Sequence, residues 1–351
     1  MGARASTKQT GAASRRASWT RLGDERLLDK RICDLGLKLD ESPLQRRVER
    51  LHRELEARGL KFRPHCWLSD SWFTPSGITG FAIPFYLAHP RLARLEERQM
   101  LDVEGGSVAS FMRLMRHECG HAIDTAYRLH NRASWRATFG NFSKPYRPYY
   151  SPKPFSRDYV RHLDNWYAQS HPAEDFCETF AVWLTPRSRW RKVYAGWPAK
   201  AKLEYVSRLM REFKGRRPLV TCRERYEPIS ELRITLREYY RRKKERYKVE
   251  LPDVIDGDLK KLFSVSRGRK QREPAAAFLK RHRADLRERV EPWTGESLFT
   301  IDQVLGKMHD RCRKLKLYVN RSERKTLADA TLMLAVQTMN YLHSGHHRRA
   351  R

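Results

Sequence analysis

The segment HECGHAID, residues 117–124, limits the fold of this chain most, because it predicts a helix whose two faces differ in chemistry. At about 100° per residue, His117, His121 and Asp124 fall on one face of that helix. The opposite face carries these apolar residues: Val108, Phe111, Met112, Met115, Cys119, Ala122 and Ala126. We therefore expect the helix to bury one side in a core and to present its histidines on the other.

The histidine face has the pattern of a metal-binding helix. Two imidazoles one turn apart, His117 and His121, can both reach one zinc ion, while Glu118 projects beside them toward a water on that metal. A purely structural histidine pair is the alternative interpretation of so short a motif. The opposed apolar stripe favours metal binding without excluding that alternative.

A catalytic zinc needs a third protein ligand and an open position for water. A glycine and a third histidine just after the motif would supply it in one known pattern, but Asp124 and Tyr127 stand at those positions. The best remaining segment is YAQSHPAEDFCETFAVWLTP, residues 167–186. In it, Pro172 suits the first turn of a helix and Pro186 marks its limit.

The second helix also has two chemically different faces, with Glu174 and Glu178 opposite an aromatic side. Two such helices on a common core would bring Glu174 to His117 and His121. Glu178 would lie one turn behind, as an acceptor for a ligand imidazole. Two alternatives stay open: an acidic first turn that only complements the helix dipole, and His171 as the third ligand.

Several blocks of the sequence resemble known zinc peptidases. HECGHAID followed by Tyr167, and seven residues later by Glu174, resembles the gluzincin pattern of anthrax lethal factor and its relatives. More closely, IPFYLAHPRL, RHECGHAID, YAQSHPAEDFCETFAVWLTP and GWPAKAKLEYVSRLM resemble the bacterial family called putative zinc-binding metallopeptidases. The resemblance implies Zn2+ ligation by His117, His121 and Glu174, with Glu118 as general base and Tyr167 assisting the oxyanion. For a peptidase we expect a protein or peptide substrate, whose identity the sequence does not give.

Other residues near the motifs have less specific interpretations. Tyr167 also suits a core aromatic at a helix end. Asp124 is expected either to orient a histidine or the turn that follows the helix, or to be an exposed carboxylate. Cys119 and Cys177 point away from the metal faces and are expected to pack in the core. The six cysteines form no close pairs, which predicts reduced thiols and argues against a zinc ribbon or a disulfide framework.

The positive charge of the chain is concentrated in its C-terminal half. The formal net charge is +31, and residues 187–351 contribute 43 Lys and Arg against 20 Asp and Glu. An excess of this size attracts polyanions or acidic surfaces. The stretch LREYYRRKKERYK at 236–248, with interleaved tyrosines, predicts a nucleic-acid or other polyanion surface, with a solvated basic helix face as the alternative.

We predict an α+β fold in three parts. Residues 1–30 form a disordered basic tail. Residues 31–220 form a gluzincin-like zincin catalytic domain, with a small sheet plus the HExxH and Glu-x-x-x-Glu helices. Residues 221–351 form a helical basic C-terminal extension.

Individual elements follow from local patterns. They are a helix begun by Ser42 and Pro43 and ended by Gly59, two or three strands over 61–88, a short helix near 90–101, a long ordered loop over 141–158 beside the cleft, helices over 197–213 and 229–248, and a helical module over 257–345.

Three functions are consistent with these patterns. Zinc-dependent peptide hydrolysis ranks first, because a vestigial site has no reason to keep Glu118 beside both histidines. A nucleic-acid-binding protein with a structural or vestigial zinc site is the main alternative, and a peptide-binding module without turnover is the third. No apolar run is long enough to cross a bilayer and the first residues lack an apolar signal segment, so we expect a cytoplasmic protein. The sequence does not indicate an oligomeric state.

Overall fold

Helices dominate the computed structural model, which describes residues 18–147, 149–249, 255–265, 272–342 and 347–348. The α-helices are α1 (Asp24–Leu28), α2 (Gln45–Ala57), α3 (Pro90–Met100), α4 (Val108–Tyr127), α5 (Ala133–Phe139), α6 (Pro172–Leu184), α7 (Trp190–Val193), α8 (Ala199–Glu212), α9 (Leu236–Arg246), α10 (Asp256–Leu262), α11 (Ala275–Arg281), α12 (Arg283–Thr294), α13 (Leu298–Lys314) and α14 (Glu323–Tyr341). The strands are β1 (His65–Ser69), β2 (Gly80–Pro84), β3 (Tyr149–Tyr150) and β4 (His347–Arg348). Helices with small sheets are compatible with the predicted α+β class.

The strands predicted over 61–88 are present, but their pairing differs from that of a simple hairpin. β1 and β2 run parallel, with His65 opposite Gly80. Parallel neighbours cannot be joined by a tight turn, so the intervening residues 70–79 cross over before β2 begins. Within that crossover, Phe73 forms an isolated antiparallel bridge with Ala82. Every residue of β2 is buried beside α4.

Helix α4 lies in the first hydrophobic core, as its apolar stripe predicts. Of the stripe residues, only Val108 in the first turn is exposed; the other six are buried. Cys119 and Cys177 are fully buried free thiols, in agreement with their expected packing role. The helix packs directly against α6, and at Gly120 the two backbones approach closely: a β-carbon at this position would lie 2.8 Å from the Cα of Cys177.

A buried ion pair fixes α4 against α2. Arg116 donates from Nε and from Nη2 to the two oxygens of the Glu54 carboxylate, both at 2.8 Å, and both side chains are almost entirely shielded from solvent. Such a pair contributes little net stability compared with apolar residues, but loss of one partner leaves an uncompensated buried charge. The pair therefore restricts how α4 can rotate on the core.

The chain enters the first core earlier than predicted. Residues 18–30 were expected in a disordered tail, but Leu27 and Leu28 of α1 are buried. Trp19 is also buried, and its indole nitrogen donates a hydrogen bond to the carbonyl of Leu35 at 3.0 Å. The apolar residues of 18–30 are few and separated by charged ones, so the sequence shows no helical periodicity there. Residues 1–17 of the predicted tail lie outside the described residues.

Two helix boundaries differ from the predicted ones. Ser42 does not cap α2 directly; its hydroxyl accepts from the backbone nitrogen of Leu44 at 3.2 Å in a turn before the helix begins. Gly59 has a φ of +76° and ends the helix segment as predicted. The single helix predicted over 229–248 is wrong in its first part, because α9 begins only at Leu236. There Thr235 accepts from the Glu238 nitrogen and supplies the N-cap.

Helices α10 to α14 enclose a second hydrophobic core and lie within the region for which the sequence predicts a helical module. The buried residues of the first core extend along the chain to Tyr240 and those of the second begin at Ile255, so the apolar residues of 221–247 pack mainly with the region predicted to end at 220. Gln303 of α13 joins the two parts: its amide donates to the Tyr247 carbonyl at 2.7 Å and accepts from the Val249 nitrogen at 2.9 Å. No helix within the described residues is both long and apolar enough to cross a membrane.

The contact at Gly120 gives a test of this packing. Gly120→Ala should force α4 and α6 apart and lower the free energy of unfolding by about 1 to 3 kcal/mol. Gly306→Ala is the matched control, because this glycine also lies within a long helix but its nearest foreign atom is the flexible end of Arg283 at 3.7 Å. The control should be stabilised by about 0.5 to 1 kcal/mol. Urea unfolding of both variants measures the difference, and equal stability of the two would contradict the described packing.

Candidate metal centre

Three side chains predicted as zinc ligands meet where α4 packs on α6. One ligand atom from each of His117, His121 and Glu174 lies within 4.8 Å of the other two. The Nε2 atoms of both histidines are 3.1 Å from the same carboxylate oxygen, Oε2 of Glu174. Among the described residues, this is the group of His, Cys, Asp and Glu side chains whose donor atoms are near enough to hold one metal ion.

The centre is buried on one side and open on the other. His117 and Glu174 are almost fully buried, whereas 21% of the His121 side chain is exposed. All three line a cleft of about 1140 Å³. A metal held here would therefore be anchored by buried ligands and still be reachable from the cleft, as a catalytic site requires.

Glu178 fixes the orientation of the most buried imidazole. Its Oε1 lies 2.7 Å from Nδ1 of His117, and its Oε2 accepts from the backbone nitrogen of Leu163 at 2.7 Å. An imidazole that donates from Nδ1 to a carboxylate directs its Nε2 lone pair toward a metal. The geometry thus gives Glu178 the contact that was predicted for it.

The electrostatics of the centre suit a cation. Burial opposes ionisation of Glu174, but the nearby His121 and His117 outweigh it and hold the pKa of this carboxyl well below its usual value. Burial also opposes ionisation of Glu178, but its hydrogen bond with His117 outweighs burial and lowers the pKa of this carboxyl. Two imidazole nitrogens and one carboxylate oxygen form a donor set that matches zinc. The residues present therefore fit a zinc ion.

Glu118 lies beside the ligands and contacts a residue that the sequence patterns did not single out. Its Oε2 accepts a hydrogen bond from the Thr74 hydroxyl at 2.8 Å. Burial raises the pKa of the Glu118 carboxyl, although the two histidines and Thr74 partly oppose this. A carboxylate with a raised pKa at the edge of a cleft is suited to accept a proton near neutral pH.

Three tyrosines surround the centre, and only Tyr167 was singled out from the sequence. The Tyr167 ring is buried, with its centroid 5.6 Å from that of His117. Tyr146 donates from its hydroxyl to Oε1 of Glu174 at 3.1 Å, and Tyr150 donates to the Asn165 carbonyl at 2.9 Å. Both belong to the loop 141–158, which borders the cleft as predicted. The Pro- and Tyr-rich composition of that loop was the available signal.

Asp124 and His171 have roles outside the ligand group. Asp124 bonds Nδ1 of His130 in the turn after α4, which is one of the alternatives stated for it. His171 caps α6: its Nδ1 accepts from the Ala173 nitrogen at 3.1 Å, and its Nε2 lies 2.7 Å from the Lys144 carbonyl. Both ring nitrogens of His171 are therefore occupied away from the three donor atoms.

Comparison with known proteins supports this chemistry over part of the chain. Residues 98–194 match the sequence model of a family described as putative zinc-binding metallo-peptidase. That range contains α4 and α6, and therefore all the residues of the candidate centre except Thr74. Searches of curated proteins and of solved structures gave no match. The similarity thus indicates a zinc-binding metallopeptidase in general terms and identifies no substrate.

Metal content tests the ligand set. Zinc bound per chain should be close to one in the wild type and in His171→Ala, and close to zero in Glu174→Ala, because only the last removes a donor atom. Glu178→Ala should lower zinc affinity by about 10- to 100-fold, since it leaves the His117 imidazole without its acceptor. Elemental analysis of proteins purified side by side, with zinc titration for Glu178→Ala, gives these values. Equal zinc in all four proteins would refute the assignment.

Proposed function

We propose that this protein is a zinc-dependent peptidase of the gluzincin type that hydrolyses peptide bonds in a protein or peptide substrate. The observation that carries the proposal is the meeting of His117, His121 and Glu174 on the wall of the cleft, with Glu118 beside them. The arrangement agrees with the resemblance of the sequence to anthrax lethal factor and its relatives. The match to a zinc-binding metallopeptidase family supports the reaction class.

In this proposal, His117, His121 and Glu174 hold the zinc ion, and Glu178 orients His117 from behind. Zinc bound at such a site lowers the pKa of a water ligand toward neutrality and polarises a carbonyl group. The contacts of Glu178 with His117 and with the Leu163 nitrogen keep the imidazole from rotating. The protein therefore supplies a fixed set of donors, with His121 nearest the cleft.

Glu118 is the proton carrier. Its carboxylate takes a proton from the attacking water and passes it to the leaving amine, a role that is served best by a pKa near the working pH. Burial raises the pKa of Glu118 in that direction. The hydrogen bond from Thr74 holds the carboxylate in one orientation, so that its second oxygen can face the substrate.

Tyr167 is the proposed donor to the developing oxyanion. Its ring lies between the His117 imidazole and the Tyr150 ring, with centroid distances of 5.6 Å and 6.2 Å. A hydroxyl donor in a cleft shielded from bulk water stabilises negative charge more strongly than it would in water. Tyr146 donates a hydrogen bond to Glu174, one of the proposed zinc ligands, and we assign it the role of positioning that carboxylate.

The dimensions of the cleft favour a peptide over a small molecule. Its volume of about 1140 Å³ exceeds the range of roughly 300 to 1,000 Å³ that small-molecule pockets occupy. Its lining includes Trp72, which belongs to the first hydrophobic core, and Val249, which packs against the second. An open groove between two packed regions can accommodate an extended chain.

No observation favours the nucleic-acid alternative to the same degree, because basic side chains of α9 are engaged within the molecule. Arg241 and Arg242 both pair with Glu238, at 2.7 Å and 2.6 Å. Lys243 pairs with the buried carboxylate of Glu96 at 2.7 Å. Lys243 is thereby withdrawn from the surface, whereas the side chains of Arg241 and Arg242 stay 67% and 61% exposed and have part of their charge balanced by Glu238.

Loss of the proton carrier separates metal binding from hydrolysis. Glu118→Gln should retain zinc and lower the hydrolysis rate by about 10²- to 10⁴-fold, because the amide cannot accept the proton. Glu97→Gln, an exposed position on α3, is the matched control and should behave as wild type. Cleavage of a diverse peptide mixture, followed by mass spectrometry, measures the rates. A chelator should abolish wild-type cleavage and added zinc should restore it; chelator-resistant cleavage would refute the proposal.

The oxyanion role can be tested in the same assay. Tyr167→Phe should lower the turnover rate by about 10²- to 10³-fold with zinc content unchanged, as removal of one oxyanion donor does in other hydrolases. Tyr150→Phe removes a hydroxyl that donates to the Asn165 carbonyl, and it should have a much smaller effect. A larger loss in Tyr150→Phe than in Tyr167→Phe would transfer the role to Tyr150.

A further inference from the structure

Two exposed arginines stack on one tryptophan ring and have no acidic partner in the described part of the chain. The Cζ atom of Arg161 lies 5.1 Å from the centroid of the Trp197 ring, and that of Arg157 lies 5.8 Å from the same centroid. No described carboxylate is within ion-pair distance of either arginine. Stacking on a ring orients a planar guanidinium and leaves its N–H groups able to donate in the plane. The two arginines are therefore oriented cations that can bind an anionic group.

The carboxylates nearest to these arginines in the sequence are engaged with other groups. Asp158 accepts a hydrogen bond from the Ser156 hydroxyl at 3.1 Å. Asp164 pairs with Arg113 at 3.4 Å. Neither carboxylate neutralises the two stacked guanidiniums by direct contact.

The segment that carries Trp197 adds to this positive charge. Residues 179–203 contain six Lys and Arg and no Asp or Glu. The four basic residues of the stretch 187–192 are all exposed, and none has an ion-pair partner among the residues that the structure describes. A surface with this excess of positive charge attracts anionic groups.

An exposed phenylalanine is held against the stacked arginines. Phe155 is 74% exposed, and its ring centroid lies 5.8 Å from Cζ of Arg161 and 6.0 Å from the centroid of the Trp166 ring. Phe155 and Trp166 have φ angles of +61° and +53°, a conformation that is unfavourable for bulky residues. Strain of this kind persists only where surrounding contacts maintain it, and it is concentrated at functional sites. We call the following residues the arginine surface: Phe155, Arg157, Arg161, Trp166 and Trp197.

The arginine surface adjoins the cleft. Trp166 lies between Asn165 and Tyr167, which both line the cleft, and Arg161 precedes the lining residue Leu163 by two positions. Consecutive Cα atoms are only about 3.8 Å apart. A bound chain that leaves the cleft along residues 163–167 therefore reaches the arginine surface.

The cleft itself has the opposite charge. Among the described residues that line it, eight are Asp or Glu and three are Arg. Of these carboxylates, Asp102 and Glu104 have no basic side chain within ion-pair distance in the described ranges. Acidic side chains of a bound chain are therefore disfavoured in the cleft and favoured at the arginine surface beside it.

We propose that the arginine surface binds acidic side chains of the peptide substrate, and thereby sets which peptide bond lies at the metal centre. The proposal rests on the proposed function, because it names a substrate class for the same cleft: chains with an Asp- or Glu-rich segment next to the cleaved bond. A guanidinium binds a carboxylate through two parallel hydrogen bonds, and arginine clusters are a recurrent means of recognising acidic motifs. Two observations support the proposal: the stacked arginines without a carboxylate partner, and the change of charge between the cleft and the surface beside it.

The experiment measures binding of a fluorescently labelled tetraglutamate peptide to the full-length protein by anisotropy, at low ionic strength. Arg157→Gln combined with Arg161→Gln should weaken binding by about three- to tenfold, because two charge-assisted contacts are lost. Arg223→Gln combined with Arg225→Gln is the matched control. Both of these arginines are exposed, and neither has an ion pair or a ring contact within the described ranges. Each double variant removes two positive charges, so the control measures the effect of net charge and should weaken binding by less than about twofold.

Two outcomes of the binding experiment would overturn the proposal. Equal weakening by the two double variants would show that net charge alone attracts the peptide. Tighter binding of a single-stranded DNA oligonucleotide of equal charge, with the same loss in Arg157→Gln combined with Arg161→Gln, would assign the arginine surface to nucleic acid and not to a peptide.

The positions of cleavage give a second readout. In the peptide mixture, bonds cleaved by the wild type should have Asp or Glu enriched at one fixed distance from the cleaved bond. This enrichment should disappear in Arg157→Gln combined with Arg161→Gln and persist in the control. Cleavage without such enrichment would refute the role in selecting the bond, while leaving the peptidase intact. Tetraglutamate binding that depends on the two arginines, without zinc-dependent cleavage of any peptide, would support the acidic-peptide surface and refute the peptidase.

Discussion

The close packing of α4 on α6 is the contact on which the candidate centre depends. Two ligands come from α4 and the third from α6, so their donor atoms meet only if the helix axes stay near each other. Gly120 permits this approach because its missing side chain leaves room for the Cα of Cys177. The ion pair of Arg116 with Glu54 then fixes the rotation of α4. Packing on one side of α4 thus determines the spacing of the donor atoms on the other.

The sequence was most informative where a helix has one apolar and one polar face. In both helices the sequence pattern placed the candidate ligand side chains opposite apolar residues. In the structure His117 contacts Glu174 and Glu178, as those two faces require. Periodicity gives the orientation of side chains around a helix, and a shared core then limits how two helices meet. The parallel pairing of β1 with β2 was not predictable in this way, because short apolar segments specify strands without specifying direction.

Other residues of the site lie in segments without a periodic sequence pattern, so the sequence did not predict them. Thr74 and Tyr146 reach Glu118 and Glu174 from irregular segments, where position depends on the tertiary fold and not on spacing in the sequence. The same reason explains the segment 229–235, whose apolar residues pack on the first core without continuing the helix of α9. Trp19 is similar, since a single buried indole in a basic context gives no recognisable pattern.

The two oxygens of Glu178 connect the metal centre to the wall of the cleft. One contacts the imidazole of His117 and the other the backbone of Leu163, so one carboxylate serves both. Two sites that share a group are thermodynamically coupled, and the coupling is reciprocal. An ion held by the His117 imidazole would therefore act through Glu178 on the peptide backbone at Leu163, and a change at that backbone would act on the ion. Binding of an ion and the shape of the groove beside it would be parts of one equilibrium.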